Sequence, residues 1–203
     1  MKCVKRLACA LLALLLACAG CMAEEEETED ALSDLAVLSE SIGVAVELPA
    51  GVMTLNVENA TNDMYRAVGL NPEAARTAFA EGNVAIWAAP EDYSWTLTVS
   101  GEPFEDKDYS DVTGATLFML LNLWRQNLEA VGGTADTCTL FDGSDTRWLH
   151  MTYELNGMYV SQYETVDHGL KLDFRLVSAV PLTEVDLILM DSVVYHSRVK
   201  PEE

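Results

Sequence analysis

Residues 147–178 read RWLHMTYELNGMYVSQYETVDHGLKLDFRLVS, and this stretch decides the fold class. Asn156-Gly157 divides it as a two-residue hairpin signal, because a type I′ turn needs φ > 0 at both central positions. Asp167-His168-Gly169 divides it again as a three-residue loop, with Gly169 in the left-handed position. Beyond that loop Leu170, Leu172, Phe174 and Leu176 point to one side, and Lys171, Asp173 and Arg175 to the other. The pattern predicts three antiparallel strands with one dry face and one wet face. A helix ending near Tyr195 follows, with Thr183 as its cap and Asp186 three residues on, a shortened capping box. Val185, Ile188 and Leu189 give that helix an apolar side. No catalytic motif lies on the stretch.

Upstream, Leu117, Leu120, Leu121, Trp124 and Leu128 form the stripe of a main helix, capped by Asp111 or Thr113 and ended by Gly132-Gly133. Phe118, Met119 and Leu123 widen the stripe, which predicts burial on more than one side. The dry face of Leu170, Leu172, Phe174 and Leu176 is expected to meet this helix. Thr134 to Leu140 reads as a strand leading into the meander. Val84 to Ala88 and Trp95 to Val99 read as a hairpin across the loop at Pro90-Glu91-Asp92. Thr61 to Val68 and Pro72 to Glu81 read as helices; Asn71 caps the second, Pro72 opens it and Gly82 stops it. Val44 to Leu48 and Met53 to Val57 read as extended, with a turn at Pro49-Ala50-Gly51. A helical phase of Leu32, Leu35 and Leu38 runs from Ala31 to Ser41. The order predicts an α+β fold, a mainly antiparallel sheet with flanking helices, as one domain over residues 43–199.

The chain opens with Lys2, Lys5 and Arg6, then an apolar run from Leu7 to Gly20. A basic segment before a short apolar run is an export signal, and the run is too short for a comfortable membrane span. Leu16-Ala17-Cys18-Ala19-Gly20-Cys21 resembles the lipobox of bacterial lipoproteins, in which small residues precede a lipidated cysteine. The resemblance implies a signal peptide over 1–21, lipidation of Cys21, and anchoring to the outer side of the cytoplasmic membrane. Cys18, in Leu15-Leu16-Ala17-Cys18, is the alternative acceptor, and ordinary cleavage near Ala23 is the other reading. Residues 22–42 form an acidic tether, with a short helix at its end as one reading. Its block Glu24-Glu25-Glu26-Glu27-Thr28-Glu29-Asp30 extends by self-repulsion.

Charge and cysteine content narrow the partners. Removing residues 1–21 takes away three of the 12 Lys+Arg and none of the 33 Asp+Glu, so nine cations face 33 anions and the net charge becomes −24. Such a chain is repelled by nucleic acid and by anionic headgroups. No nucleic-acid partner is expected; the membrane, through the lipid anchor, and a protein of the cell envelope are. Half of the residues are apolar, which is enough for a packed core. Only Cys138 lies outside the leader, so the domain has no internal disulfide, and Cys138 reads as a small core residue.

Three passages resemble the PsbP-like α/β sandwich: Glu47-Leu48-Pro49-Ala50-Gly51, Tyr159-Val160-Ser161-Gln162-Tyr163-Glu164-Thr165, and the closing helix and strand from Thr183 to His196. The likeness spans roughly Gly43 to Val199. It implies a binding or assembly module and supplies no active site to carry over.

Candidate chemistry is sparse. His150, His168 and His196 have neither one another nor Cys138 at zinc-ligand spacing. His150 alternates with Trp148 and Thr152 on one strand face. A Ser-His-Asp set assembled from distant positions lacks a Gly-x-Ser-x-Gly elbow to support it. Asp106-Lys107-Asp108-Tyr109-Ser110-Asp111 starts like a calcium loop, but Asp111 stands where the glycine is needed and Leu117 where the bidentate Glu is. Trp87, Trp95, Trp124 and Trp148 read as core residues rather than a sugar platform. No catalytic, cofactor or metal residue is assigned. The leading expectation is a non-catalytic, lipid-anchored binding or assembly module. Capture of a small ligand or calcium is the alternative, and an extracytoplasmic hydrolase stands third. The wet face at Lys171, Asp173 and Arg175 is the first place to look for a docking surface.

Overall fold

The C-terminal meander forms as its turn residues dictate. In the computed structural model β7 (Arg147–Leu155), β8 (Met158–Asp167) and β9 (Leu170–Ser178) pair antiparallel in sequence. Asn156 and Gly157 take φ of 54° and 75° at the first turn. The second turn is tighter than the three-residue loop expected. Asp167 pairs with Leu170, leaving only His168 and Gly169 at φ of 49° and 74°. Histidine is among the few non-glycine types that enter this region with any frequency, which makes the two-residue turn accessible.

The structure describes residues 36–40, 42–105, 108–144 and 146–199, all within the unit Ser33–Glu203. β3 (Val52–Asn56), β4 (Val84–Pro90), β5 (Thr96–Pro103) and β6 (Thr134–Asp142) complete a seven-stranded antiparallel sheet in the order β3-β4-β5-β9-β8-β7-β6. β1 (Ala36–Ser39), β2 (Val44–Glu47) and β10 (Arg198–Val199) make a second sheet. Ala36–Ser39 is therefore a strand and not the end of a helix. Pairing with β2 overrides the weak helical phase into which Leu38 fell.

Among the described residues four helices flank the strands. α1 (Asn62–Ala67) is capped by Thr61, which accepts from Met64 N–H, and α2 (Pro72–Glu81) carries its expected cap, Asn71, which accepts from Glu73 and Ala74 N–H. α3 (Gly114–Ala130) starts at Thr113, whose hydroxyl accepts from Thr116 N–H. α4 (Glu184–Tyr195) has a full Thr183/Asp186 capping box.

Register carries each face across the sheet. Thr98 on β5 stands opposite both Trp87 and Arg175, Arg175 opposite Gln162, and Gln162 opposite Met151. The other face is mainly apolar. There Ile86, Leu97, Val99, Leu172, Phe174, Leu176 and Trp148 join Val44 and Val46 of the small sheet and Met190, Val193 and Val194 of α4 in one core. Phe174 is fully buried, with its ring edge-on to Trp148 at 5.1 Å.

Two packing expectations are thereby corrected. The dry face of β9 meets α4 and the small sheet, not the main helix. α3 lies on the opposite face, where Leu117 and Leu121 pack on Leu149 and Val166, and Leu128 on Met151, Tyr153 and Val160. The phase of α4 also differs: Met190, Val193 and Val194 are buried, while Val185 and Ile188 are 73% and 60% exposed. A helix apolar nearly all round gives its periodicity no phase to read.

Candidate functional site

The wet face of β9 opens into a trough, and the chain path explains why. α1 and α2 join neighbouring strands β3 and β4, so they cover that end of the face with Tyr65, Val68 and Ala75 on Leu55, Trp87 and Ala89. α3 joins β5 to β6 at the far edge and settles over β6 and β7. Among the described residues no crossing helix belongs to the middle, where β9 returns to pair with β5. Between the two helical covers lies an open groove of about 200 Å³, lined by Glu81, Asn83, Ser100, Glu102, Lys171, Asp173 and Arg175 among others.

Its floor is a connected polar network. Tyr153 Oη donates to Gln162 Oε1 at 2.7 Å, and the Gln162 amide donates to Asp173 Oδ2. Arg175 pairs with Asp173 at 3.3 Å. Burial pushes the Asp173 carboxyl above the usual range, against the opposing pull of Arg175, Gln162 and Lys171. Lys171 Nζ stands 3.2 Å from Glu164 Oε2, and Tyr109 Oη donates to Glu164 Oε1 at the same distance. Lys171 and Arg175 remain 31% and 45% exposed, so their ammonium and guanidinium can meet an incoming anion without leaving these pairs. Both charge signs line one groove. That suits a ligand or surface that is itself mixed in charge, and the two cations oppose a bare divalent ion.

The dry face holds a polar island around His150. Its ring stacks on Tyr163 with centroids 4.0 Å apart and planes 7° from parallel. Nε2 is 3.2 Å from Ser161 Oγ, and Nδ1 is 3.4 Å from Thr139 Oγ1. Burial lowers the imidazole pKa to about 4, which keeps it neutral, while Asp191 pulls the other way. Tyr163 donates its phenol hydrogen to Asp191, and burial followed by that bond pushes its pKa up. Serine, histidine and aspartate thus come close, yet the order is not a catalytic one. Ser161 is fully buried, and Asp191 engages Tyr163 while His150 Nδ1 faces a threonine.

The remaining singled-out residues fall as follows. Trp87, Trp95 and Trp148 are buried and Trp124 is half-buried, as core residues should be. Cys138 is half-buried and its thiol is pushed up by burial, away from reactive thiolate character. His168 is exposed beside Asp167 at 3.1 Å. Tyr109–Asp111 forms a 3₁₀ turn, whereas Asp106 and Lys107 of the same acidic loop lie outside the described residues, as do Cys21, Cys18 and the acidic tether up to Leu35. Among the described residues no group of three or more His, Cys, Asp or Glu is placed to hold a metal ion, and no helix is long and apolar enough to cross a membrane. Sequence reasoning missed the outward face of α3. Phe118, Met119 and Leu123 are 51%, 72% and 54% exposed, where burial on a second side was expected.

No protein-family profile and no curated protein matches the chain. Among solved structures, it is similar to the solution structure of cyanobacterial PsbP (CyanoP) from Synechocystis sp. PCC 6803. That match has 14% identity and a TM-score of 0.50, over 81% of this chain and 91% of that one. The fold is the PsbP-like one, a large antiparallel sheet with flanking helices.

Proposed function

We propose that this chain is an exported, lipid-anchored, non-catalytic binding or assembly module on the outer side of the cytoplasmic membrane, and that it engages its partner through the β5–β9 trough. The carrying observation is where the cations sit. Of the nine that remain once the leader is removed, Lys171 and Arg175 line one groove on a chain of net charge −24. A partner steered toward a strongly acidic protein meets there the two groups able to fix its acidic side chains in register. The PsbP-like fold supports the reading as a likeness of architecture.

Crosslinking in membranes followed by co-purification tests it. The native chain should bring down a reproducible envelope protein, and the Lys171→Glu/Arg175→Glu variant should lose it while still unfolding in one cooperative thermal transition. Retention of the same partner by that variant would remove the trough from the account. The anchor has its own test: Cys21→Ala should release the protein from the membrane fraction, and a variant that stays bound rules out lipidation there.

The size of the groove favours one second reading, capture of a small ligand carrying both charges. Calorimetry with amino acids, short peptides, sugars and calcium separates the two. Heat from an amino acid or peptide that vanishes in Lys171→Glu/Arg175→Glu selects capture.

A further inference from the structure

The far edge of the large sheet carries a second surface. β6 pairs with β7 on one side, and among the described residues its other side pairs with no strand. Edges of this kind are ordinarily blunted by shortness, lysine, proline or a bulge. β3, at the opposite edge, has five residues; β6 has nine, TADTCTLFD, without lysine or proline. Its one irregularity is a register shift between Ala135 and Thr137, which leaves Thr137 to Asp142 in unbroken register with β7. Beside Thr137 opens a mainly apolar groove of about 290 Å³ lined by Thr152, Tyr159, Pro181, Leu182 and Leu187. Asp136 and Asp142 stand exposed at either end of the open segment; Asp142 pairs with Arg147 at 3.0 Å, yet its side chain stays 82% exposed and keeps room for a second cation.

We propose that the β6 edge accepts an extended segment of a partner protein as an added strand, with apolar side chains at alternate positions and a lysine or arginine at each end. Main-chain hydrogen bonds supply the affinity of such a strand, and pockets for alternate side chains supply its selectivity. The groove beside Thr137 is one such pocket. Charge decides against a second copy as occupant. A symmetric antiparallel β6–β6 pair centred on Thr139 sets Asp136 of each copy against Asp142 of the other, between two strongly acidic chains. A segment ending in cations meets both aspartates favourably. The site is separate from the trough, since β8 and β7 lie between β9 and β6.

Amide hydrogen exchange followed by NMR on the full chain tests this, using a capped nonapeptide of alternating valine and threonine with lysine at both ends. At saturating peptide, exchange at alternate β6 amides, those turned away from β7, should slow about tenfold or more. The same peptide N-methylated at alternate amides should give no slowing, because it cannot complete the ladder. A peptide ending in glutamate should fail on the native edge and succeed on Asp136→Lys/Asp142→Lys. Lys171→Glu/Arg175→Glu should leave all of these results unchanged, which separates this site from the trough. Absence of slowing, equal slowing by the N-methylated peptide, or indifference to the peptide's end charges overturns the proposal. Slowing that depends on protein concentration without peptide, with a doubled mass in solution, assigns the edge to a second copy and overturns it as well.

Discussion

The two faces of the large sheet use the same strands for opposite ends. β9 sends Leu172, Phe174 and Leu176 into a core sealed by α4 and the small sheet, all three fully buried. From the other side of its backbone it sends Lys171, Asp173 and Arg175 into a trough that no helix among the described residues covers. The core face carries its polar groups as an island toward β6, with His150 neutral against Tyr163. The open face carries a half-buried carboxylate tied to glutamine and arginine, with two cations still reaching solvent. Helices follow connections, so the face is covered where the chain crosses it and stays open where a strand arrives by hairpin. One face holds the molecule together, and the other is free to recognise something.

Substitutions on the two sides of β9 break that comparison most sharply. Phe174→Asp places a charge in the sealed core and should abolish the cooperative thermal transition; a soluble variant with native-like melting would contradict the packing. Phe174→Ala should cost about 3–5 kcal/mol in urea unfolding, since it empties a filled site against Trp148. Leu121→Ala, under α3 on the open face, should cost about 2–4 kcal/mol by the same mechanism. At the small end, Met119→Ser and Leu123→Ser on the outward side of α3 should each shift stability by less than about 0.5 kcal/mol, and a larger loss would mean that α3 is covered after all.

Proton linkage offers an intermediate test with opposite signs on the two faces. Folded His150 stays neutral down to about pH 4, whereas the unfolded chain takes up that proton near pH 6.5. Between these values the unfolded state binds more protons, so stability falls as pH drops through the window, by on the order of 3 kcal/mol at full extent. His150→Gln should flatten this limb of a pH series of urea midpoints. Asp173 works the other way. Its raised carboxyl pKa means that the folded state binds more protons, so its contribution improves as pH falls. Asp173→Asn should therefore steepen the acid loss that His150→Gln flattens.

The sequence was legible wherever local chemistry suffices. Asn156-Gly157 named its turn, Asn71 and Thr183 named two helix caps and Asp111 or Thr113 bracketed a third, and strict alternation along β9 named both of its faces. What covers each face was not legible. Periodicity says that Leu172 and Phe174 are buried but not beneath which helix, and α3 and α4 both present apolar stripes of suitable length. Phe118, Met119 and Leu123 misled for a related reason: an apolar residue on a helix reads as core until the neighbouring layer is known to be absent. The trough needed topology as well. Ser100 and Glu102 come to Lys171 and Arg175 only because β9 pairs with β5, and no local pattern in either strand records that pairing.

Site-specific photocrosslinking in cells tests the central claim most directly. A photoreactive phenylalanine analogue placed at Ser100, inside the trough, is compared with one at Val185, exposed on α4 behind the sealed face. The account predicts a discrete crosslinked product from position 100 that is missing from position 185 and lost when Lys171→Glu/Arg175→Glu is added. No product from position 100, or the same product from both positions, would contradict it.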